Sequence, residues 1–170
     1  QERARSGYDD YLRDMPKRMR GFNQRLAELE RLVAPPGRVL DFGCAVGLFV
    51  RAAQDRGWTA AGYDRSEWAA AYGREKLGVN IQSGGSPQFD EGSFDVITLW
   101  DCIEHLPDPR GTLLKARGWL RAGGVLAVNT VNSSSLGARL AGKSWRHIMP
   151  PLHLNLFSSR SLRRLVTDTG

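Results

Sequence analysis

The residues of this chain whose types and spacing suit chemistry gather around short glycine turns. In Val39-Leu-Asp-Phe-Gly-Cys-Ala-Val-Gly-Leu-Phe-Val50 an apolar run ends at Asp41, Gly43 and Gly47 frame a tight turn, and apolar residues after Gly47 open a helix. Glycine has no Cβ to hold a ligand off the backbone, and a helix start offers unpaired N–H groups. Main chain can therefore grip a polar or charged ligand here. The pattern falls short of a strict G-x-G-x-x-G because Ala45 stands at the middle glycine. The alanine methyl suits the turn if its φ is negative. Seventeen residues beyond Gly47, Asp64 closes the run Thr59-Ala-Ala-Gly-Tyr-Asp64. An acid at the tip of the next strand can accept both hydroxyls of a ribose.

Histidine is the side chain that takes a proton near neutral pH, and the chain has three. His105 follows an apolar run, in Asp101-Cys-Ile-Glu-His-Leu-Pro-Asp-Pro109. His147 and His153 lie in Ser144-Trp-Arg-His-Ile-Met-Pro-Pro-Leu-His-Leu-Asn155, which has neither helix nor strand periodicity. A loop of this composition over the carboxyl edge of a sheet makes a substrate wall, with Trp145, Met149 and Leu152 as its apolar part. His153 is the first candidate for a proton acceptor and His105 the second. The competing reading of His105 is a structural histidine bonded within its turn. Long, irregular histidine spacing, with both cysteines in core positions, argues against a structural zinc site, so no metal is assigned.

The elements that must carry these residues alternate strand and helix, which predicts a parallel sheet covered on both faces. A helix near residues 16–33 carries Phe22, Leu26, Leu29, Leu32 and Val33 on one stripe and stops at Pro35-Pro36-Gly37. Strands are predicted at Arg38–Asp41, Thr59–Tyr63, Val79–Gln82, Phe94–Trp100 and Gly124–Val131. Helices are predicted from Gly47 to Arg56, from the N-cap Ser66 to Lys76, and from Pro109 to Leu120.

Four strings in this order resemble the class I S-adenosylmethionine (SAM) dependent methyltransferases: the Asp41–Gly47 turn, Asp64, Phe94–Pro109 and Leu120–Asn129. The likeness is greatest to the small-molecule branch that includes the ubiquinone-biosynthesis O-methyltransferases, where Asp-x-x-Glu-His-Leu-Pro-Asp-Pro recurs. The resemblance implies a Rossmann-like, doubly wound α/β fold with a mostly parallel sheet. Residues 1–37 would form a helical cap and residues 38–170 the SAM-binding domain. It further implies that Asp41, Gly43 and Gly47 hold the methionine end of SAM, that Asp64 holds the ribose, and that Cys44 and Arg65 are also cofactor-binding. Gly85 and Ser86 would meet adenine where relatives carry an acid. Trp100 and Asp101 would face the methionine moiety, and Arg25 its carboxylate, a solvated helix arginine being the alternative. Tyr8 and Tyr11 would close over the cofactor or simply pack.

The activity implied is methyl transfer to a small-molecule hydroxyl. The alternatives are an RNA or other nucleic-acid methyltransferase and a non-catalytic SAM-binding protein. Nucleic acid is disfavoured because the fourth strand exits as Trp100-Asp-Cys-Ile, without the Asn/Asp-Pro-Pro-Tyr string of base-methylating relatives. A Rossmann dehydrogenase is disfavoured by Ala45.

Composition sets wider bounds. The chain has 170 residues, 41% hydrophobic content and a net charge of +6, enough for one domain with a single core. The charge is uneven: +3 over residues 1–38, −6 over 39–109 and +9 over 110–170. The basic flanks read as solvated arginine-rich helix faces. No apolar run reaches the ~20 residues of a membrane span, and a cytoplasmic protein is expected. Cys44 and Cys102 read as small buried thiols. The chain runs from Gln1 to Gly170, where the family's last two strands would begin. The expectation is that a further strand pair, or a second copy in a dimer, covers the sheet edge.

Overall fold

The computed structural model describes residues 11–169. Its strands are β1 (Arg38–Phe42), β2 (Thr59–Asp64), β3 (Asn80–Ser83), β4 (Phe94–Trp100) and β5 (Leu120–Asn129). The helices are α1 (Met15–Leu29), α2 (Leu48–Asp55), α3 (Glu67–Tyr72), α4 (Pro109–Trp119), α5 (Leu136–Ala141) and α6 (Ser159–Thr167). The strands form one parallel sheet in the order β3-β2-β1-β4-β5. The chain works outward from β1 to β3 and then returns to lay β4 against the other side of β1. That reversal opens a crevice at the carboxyl ends of β1 and β4, where α/β sheets bind ligands.

Burial on both faces explains the near-continuous apolar runs of β1 and β4. Successive residues point to opposite faces, so Val39 and Val96 join Leu26, Leu29, Phe49 and Trp58 beneath α1 and α2. Leu40, Ile97 and Leu99 join Leu113, Ala116 and Trp119 beneath α4. α6 lays Leu162, Leu165 and Val166 against that second cluster, after a Ser158–Ser161 capping box that starts the helix. Ser66 caps α3 by accepting from the Ala69 N–H at 3.2 Å.

Several predicted boundaries move. β1 and β2 each run one residue further, and β3 starts and ends one residue later. α1 ends at Leu29, so Leu32, placed by periodicity on the apolar stripe, is 71% exposed. α3 gives way to a wider π turn over Gly73–Leu77, and Arg74 ties the segment to β3 by donating to the Ile81 carbonyl at 2.7 Å. β5 begins at Leu120 rather than Gly124. Leu120 already pairs with Phe94, and a bulge absorbs the extra residues before Val125 pairs with Val96. The Gly-Gly pair, Gly123 and Gly124, lies at this irregularity inside the strand. Beyond β5 no further strand pairs among the described residues.

Candidate functional site

The glycine turn leaves β1 with three left-handed residues in quick succession: Gly43 at φ 80°, Ala45 at 50° and Gly47 at 83°. At Gly43 a Cβ would strike the Cys102 side chain, and at Gly47 it would sit 2.7 Å from Ile81 Cδ1. Glycine is thus required at both for space as well as for backbone angle. The condition of a negative φ at Ala45 is not met. Asp64 supplies the compensation, since its Oδ2 accepts the Ala45 N–H at 2.7 Å. Its Oδ1 accepts the Ser66 N–H at 2.8 Å. The Asp64 carboxylate therefore bridges the glycine turn to the start of α3. Burial raises its pKa above the usual carboxylate range, while the two backbone N–H groups pull the other way. A carboxylate offers about four acceptor positions, so capacity for ribose hydroxyls remains. Asp101, just after β4, is the other non-glycine residue with positive φ among the described residues, at 49°. Backbone strain of this kind collects at functional sites.

Asp41 lies at the floor of the turn, 3% exposed, and accepts from Thr98 Oγ1 at 2.7 Å. Burial pushes its pKa up to about 7, against the pull of the Thr98 bond, with the nearby Asp64 charge raising it further and Arg25 lowering it. A raised folded pKa means that the native state holds a proton the unfolded chain releases. Stability from this group is full below the ordinary carboxylate range and is lost as pH rises toward 7. Asp41→Asn is therefore expected to unfold with less difference between pH 5 and pH 8 than the wild type. Denaturant titrations at the two pH values measure it, and an unchanged difference would count against the proton on Asp41.

Two cavities meet at this turn. The larger, about 610 Å³, has Asp64, Arg65, Gly85 and Ser86 on one side and Asp101 and His105 on another. Phe42, Leu106 and Pro107 give it apolar walls, and Tyr63 shapes the Ser83–Ser86 loop by donating to the Gly84 carbonyl at 2.9 Å. The smaller, about 230 Å³, is lined by Tyr11, Arg18, Asp41, Cys44, Ala45 and Trp100. Gly43 and Asp101 line both. Trp100 packs one face on Phe49 and leaves its Nε1 buried without a partner. Arg25 lies over the Trp100 ring at 4.6 Å, 3.8 Å from Asp101 and 3.5 Å from Asn129 Oδ1. It joins Asp14, Lys17, Arg18 and Phe22 around an adjoining hollow. Gly47 lines neither cavity and serves the turn. Tyr8 falls outside the described residues. Cys44 and Cys102 are buried thiols whose pKa values burial drives up.

The residue 144–155 stretch does return over the carboxyl edge. The Leu154 and Asn155 N–H groups donate to the Glu104 carbonyl at 2.9 and 3.0 Å, and Asn155 Nδ2 donates to the Leu106 carbonyl at 2.7 Å. The expected apolar wall does not form, because Met149 is 40% and Leu152 60% exposed and neither they nor Trp145 line the cavity. The histidines exchange rank. His105 lines the cavity, whereas His153 stands behind it with ring centroids 4.8 Å apart. His153 is absent from the cavity lining and gives its Nδ1–H to the His147 carbonyl at 2.7 Å.

A family model described as a methyltransferase domain matches residues 11–170. The chain belongs to this family. The methyltransferase domain is 30% identical over 150 residues to a ubiquinone biosynthesis O-methyltransferase of Thiobacillus denitrificans, covering 78% of this chain and 63% of that protein. It is also 30% identical over 116 residues to the Coxiella burnetii protein of the same name, covering 64% and 50%. It thus spans about half to two-thirds of the length of these relatives. Among solved structures, a Thermotoga maritima SAM-dependent methyltransferase, described as a possible histamine N-methyltransferase, superposes with a TM-score of 0.78 at 24% identity. The match covers 99% of this chain and 78% of that one. Phosphoethanolamine N-methyltransferase 2 of Haemonchus contortus, in complex with S-adenosyl-L-methionine, superposes at 0.65 and 22% identity, over 87% and 36%. These two likenesses establish the class I methyltransferase fold.

Sequence reasoning missed several residues that the methyltransferase domain brings to its site, Leu106 and Pro107 of the larger cavity among them. Arg18 and Phe22 stand one helical turn apart on α1, and the Phe22 position on the apolar stripe was the available signal. Thr98, fully buried, was signalled by the lone hydroxyl among the apolar residues of the 96–100 run. Phe42 follows Asp41 directly and faces the larger cavity.

Proposed function

We propose that this methyltransferase domain moves a methyl group from SAM to a hydroxyl of a small-molecule acceptor. The observation that carries the reading is the meeting of two cavities at Gly43, with the Asp64 carboxylate beside one and Asp41 beneath the other. An elongated ligand with a nucleoside at one end and an amino acid at the other suits that shape. The residues present fit it: Gly43 lines both cavities with main chain alone, Asp64 has free acceptor capacity for a ribose, and the buried Trp100 Nε1 lacks a partner. Asp41, Tyr11, Arg18 and Arg25 surround or border the smaller cavity, where the amino-acid end would lie. When bound, SAM supplies a methyl on a cationic sulfur whose charge disappears on transfer.

The chain's own residues then have mainly to align acceptor and donor and keep water out. A hydroxyl acceptor must also lose a proton. His105 is placed for this: its Nδ1 is held by the Leu152 carbonyl at 2.8 Å. Because a carbonyl only accepts, Nδ1 carries the hydrogen and Nε2 keeps a lone pair. Isothermal titration should show SAM and S-adenosylhomocysteine binding, with NAD far weaker. Release of S-adenosylhomocysteine should then be screened over hydroxyl and amine acceptors. Binding of NAD in preference to SAM would refute the cofactor assignment, and turnover on amines alone would refute the hydroxyl.

A further inference from the structure

The turn Ile103–His105 after β4 sets two neighbouring side chains at different depths. His105 is exposed at the cavity, while Glu104 is 2% exposed, with Oε2 buried and lacking any hydrogen-bond partner. A buried carboxylate oxygen without a donor is costly, and such an oxygen calls for a cation or a proton. The returning chain brings a second imidazole to the same place, since the Leu154 and Asn155 N–H groups clamp it onto the Glu104 carbonyl. Both rings are held in the same way, each through Nδ1. His105 Nδ1 donates to the Leu152 carbonyl at 2.8 Å and His153 Nδ1 to the His147 carbonyl at 2.7 Å. Each neutral ring is thereby left with its lone pair on Nε2. A backbone carbonyl fixing the far nitrogen is how metal-binding histidines are held. One donor atom from each of Glu104, His105 and His153 lies within 4.8 Å of the others.

We infer that Glu104, His105 and His153 form a binding site for a divalent first-row transition ion, with Zn²⁺ the best fit. Two imidazole nitrogens and one carboxylate oxygen suit that class, whereas Mg²⁺ and Ca²⁺ favour all-oxygen sets. Zinc bonds of about 2.0–2.1 Å bring ligand atoms closer than the present spread, so the side chains must close slightly by rotation on binding. Three protein ligands leave a coordination position free, the pattern of catalytic rather than structural zinc. His105 lines the larger cavity on the side away from Asp64, Arg65, Gly85 and Ser86, which leaves that part of the cavity for the acceptor. There the inference rests on the proposed methyl transfer and deepens it. With the ion bound, His105 Nε2 is a ligand, and the ion polarises the acceptor hydroxyl and lowers its pKa. The proton then leaves to solvent.

Chelator-treated protein, without SAM or acceptor, should be titrated with ZnCl₂ by calorimetry and with Co²⁺ by absorption spectroscopy. Binding of one ion per chain is expected, with Glu104→Gln and His153→Ala each weakening it by roughly tenfold or more. His147→Ala, which keeps the backbone carbonyl that holds His153, should leave affinity unchanged. Circular dichroism checks that the variants fold, and His153→Ala at the half-buried position keeps the test open should the buried Glu104→Gln fail. Absence of one-to-one binding, or binding indifferent to both substitutions, overturns the site. Zinc binding without methyl transfer would uphold the site and sink the proposed function. Methyl transfer at full rate in chelator, with no zinc taken up, would do the reverse.

Discussion

Replacing His105 with alanine is expected to lower turnover by roughly 10²–10⁴-fold, the range for loss of a positioned acid–base group, while SAM affinity holds. The direction follows from its place. His105 is exposed at the wall of the larger cavity, and the Leu152 carbonyl fixes which nitrogen can receive a proton or an ion. Its ring supports no strand or helix of the core, so the loss should fall on rate per folded molecule. Single-turnover kinetics at saturating SAM, beside calorimetric SAM binding, separates the two quantities. A rate unchanged after correction for folded protein would return His105 to the structural reading. His153→Ala should also slow the reaction, less steeply if its part is only to support His105. Equal losses in the two variants would mark the pair as one unit.

Asp64→Ala is expected to weaken SAM by roughly 1.5–3 kcal/mol, about 10- to 150-fold, through loss of a charged acceptor for ribose hydroxyls. The structure adds a second route to the same loss. Asp64 also accepts the Ala45 and Ser66 N–H groups, so its removal unties a turn in which Ala45 holds an unfavourable positive φ. Asp64→Asn keeps one side-chain oxygen and should fall between. A SAM analogue lacking the ribose hydroxyls separates the routes: its affinity should drop little further in Asp64→Ala if the direct contact dominates. Unchanged SAM binding in Asp64→Ala would remove the ribose assignment.

The legible parts of this protein are those in which a local rule and a global requirement coincide. Parallel strands buried on both faces are largely apolar, so β1 and β4 announce themselves as runs interrupted at Asp41, Asp95 and Thr98. Gly43 and Gly47 show because no other residue fits a left-handed turn packed against Cys102 and Ile81. Boundaries were less legible because periodicity continues past the point where hydrogen bonding stops. Leu32 keeps the helical spacing after α1 has ended, and the Gly-Gly pair in β5 is a bulge whose partner lies on β4. The apolar residues of the 144–155 stretch also misled. Composition placed Leu152 and Met149 against the substrate, yet they face solvent while the backbone between them and Asn155 does the docking.

The sequence by itself determined the order of strands and helices, the glycine turn and the acid beyond it. Each depends on residues within a few turns of one another, or on the fixed length of a strand–helix–strand unit. Only the tertiary structure decided which histidine reaches the cavity, that Ala45 is carried at positive φ by an Asp64 hydrogen bond, and that Arg18 and Phe22 of α1 border the site. Tertiary structure alone also brought Glu104, His105 and His153 together. Linear spacing argued against a structural zinc site, and it counts only positions along the chain. Ligand geometry is set by distance in space, and here two backbone N–H groups on the Glu104 carbonyl close that distance.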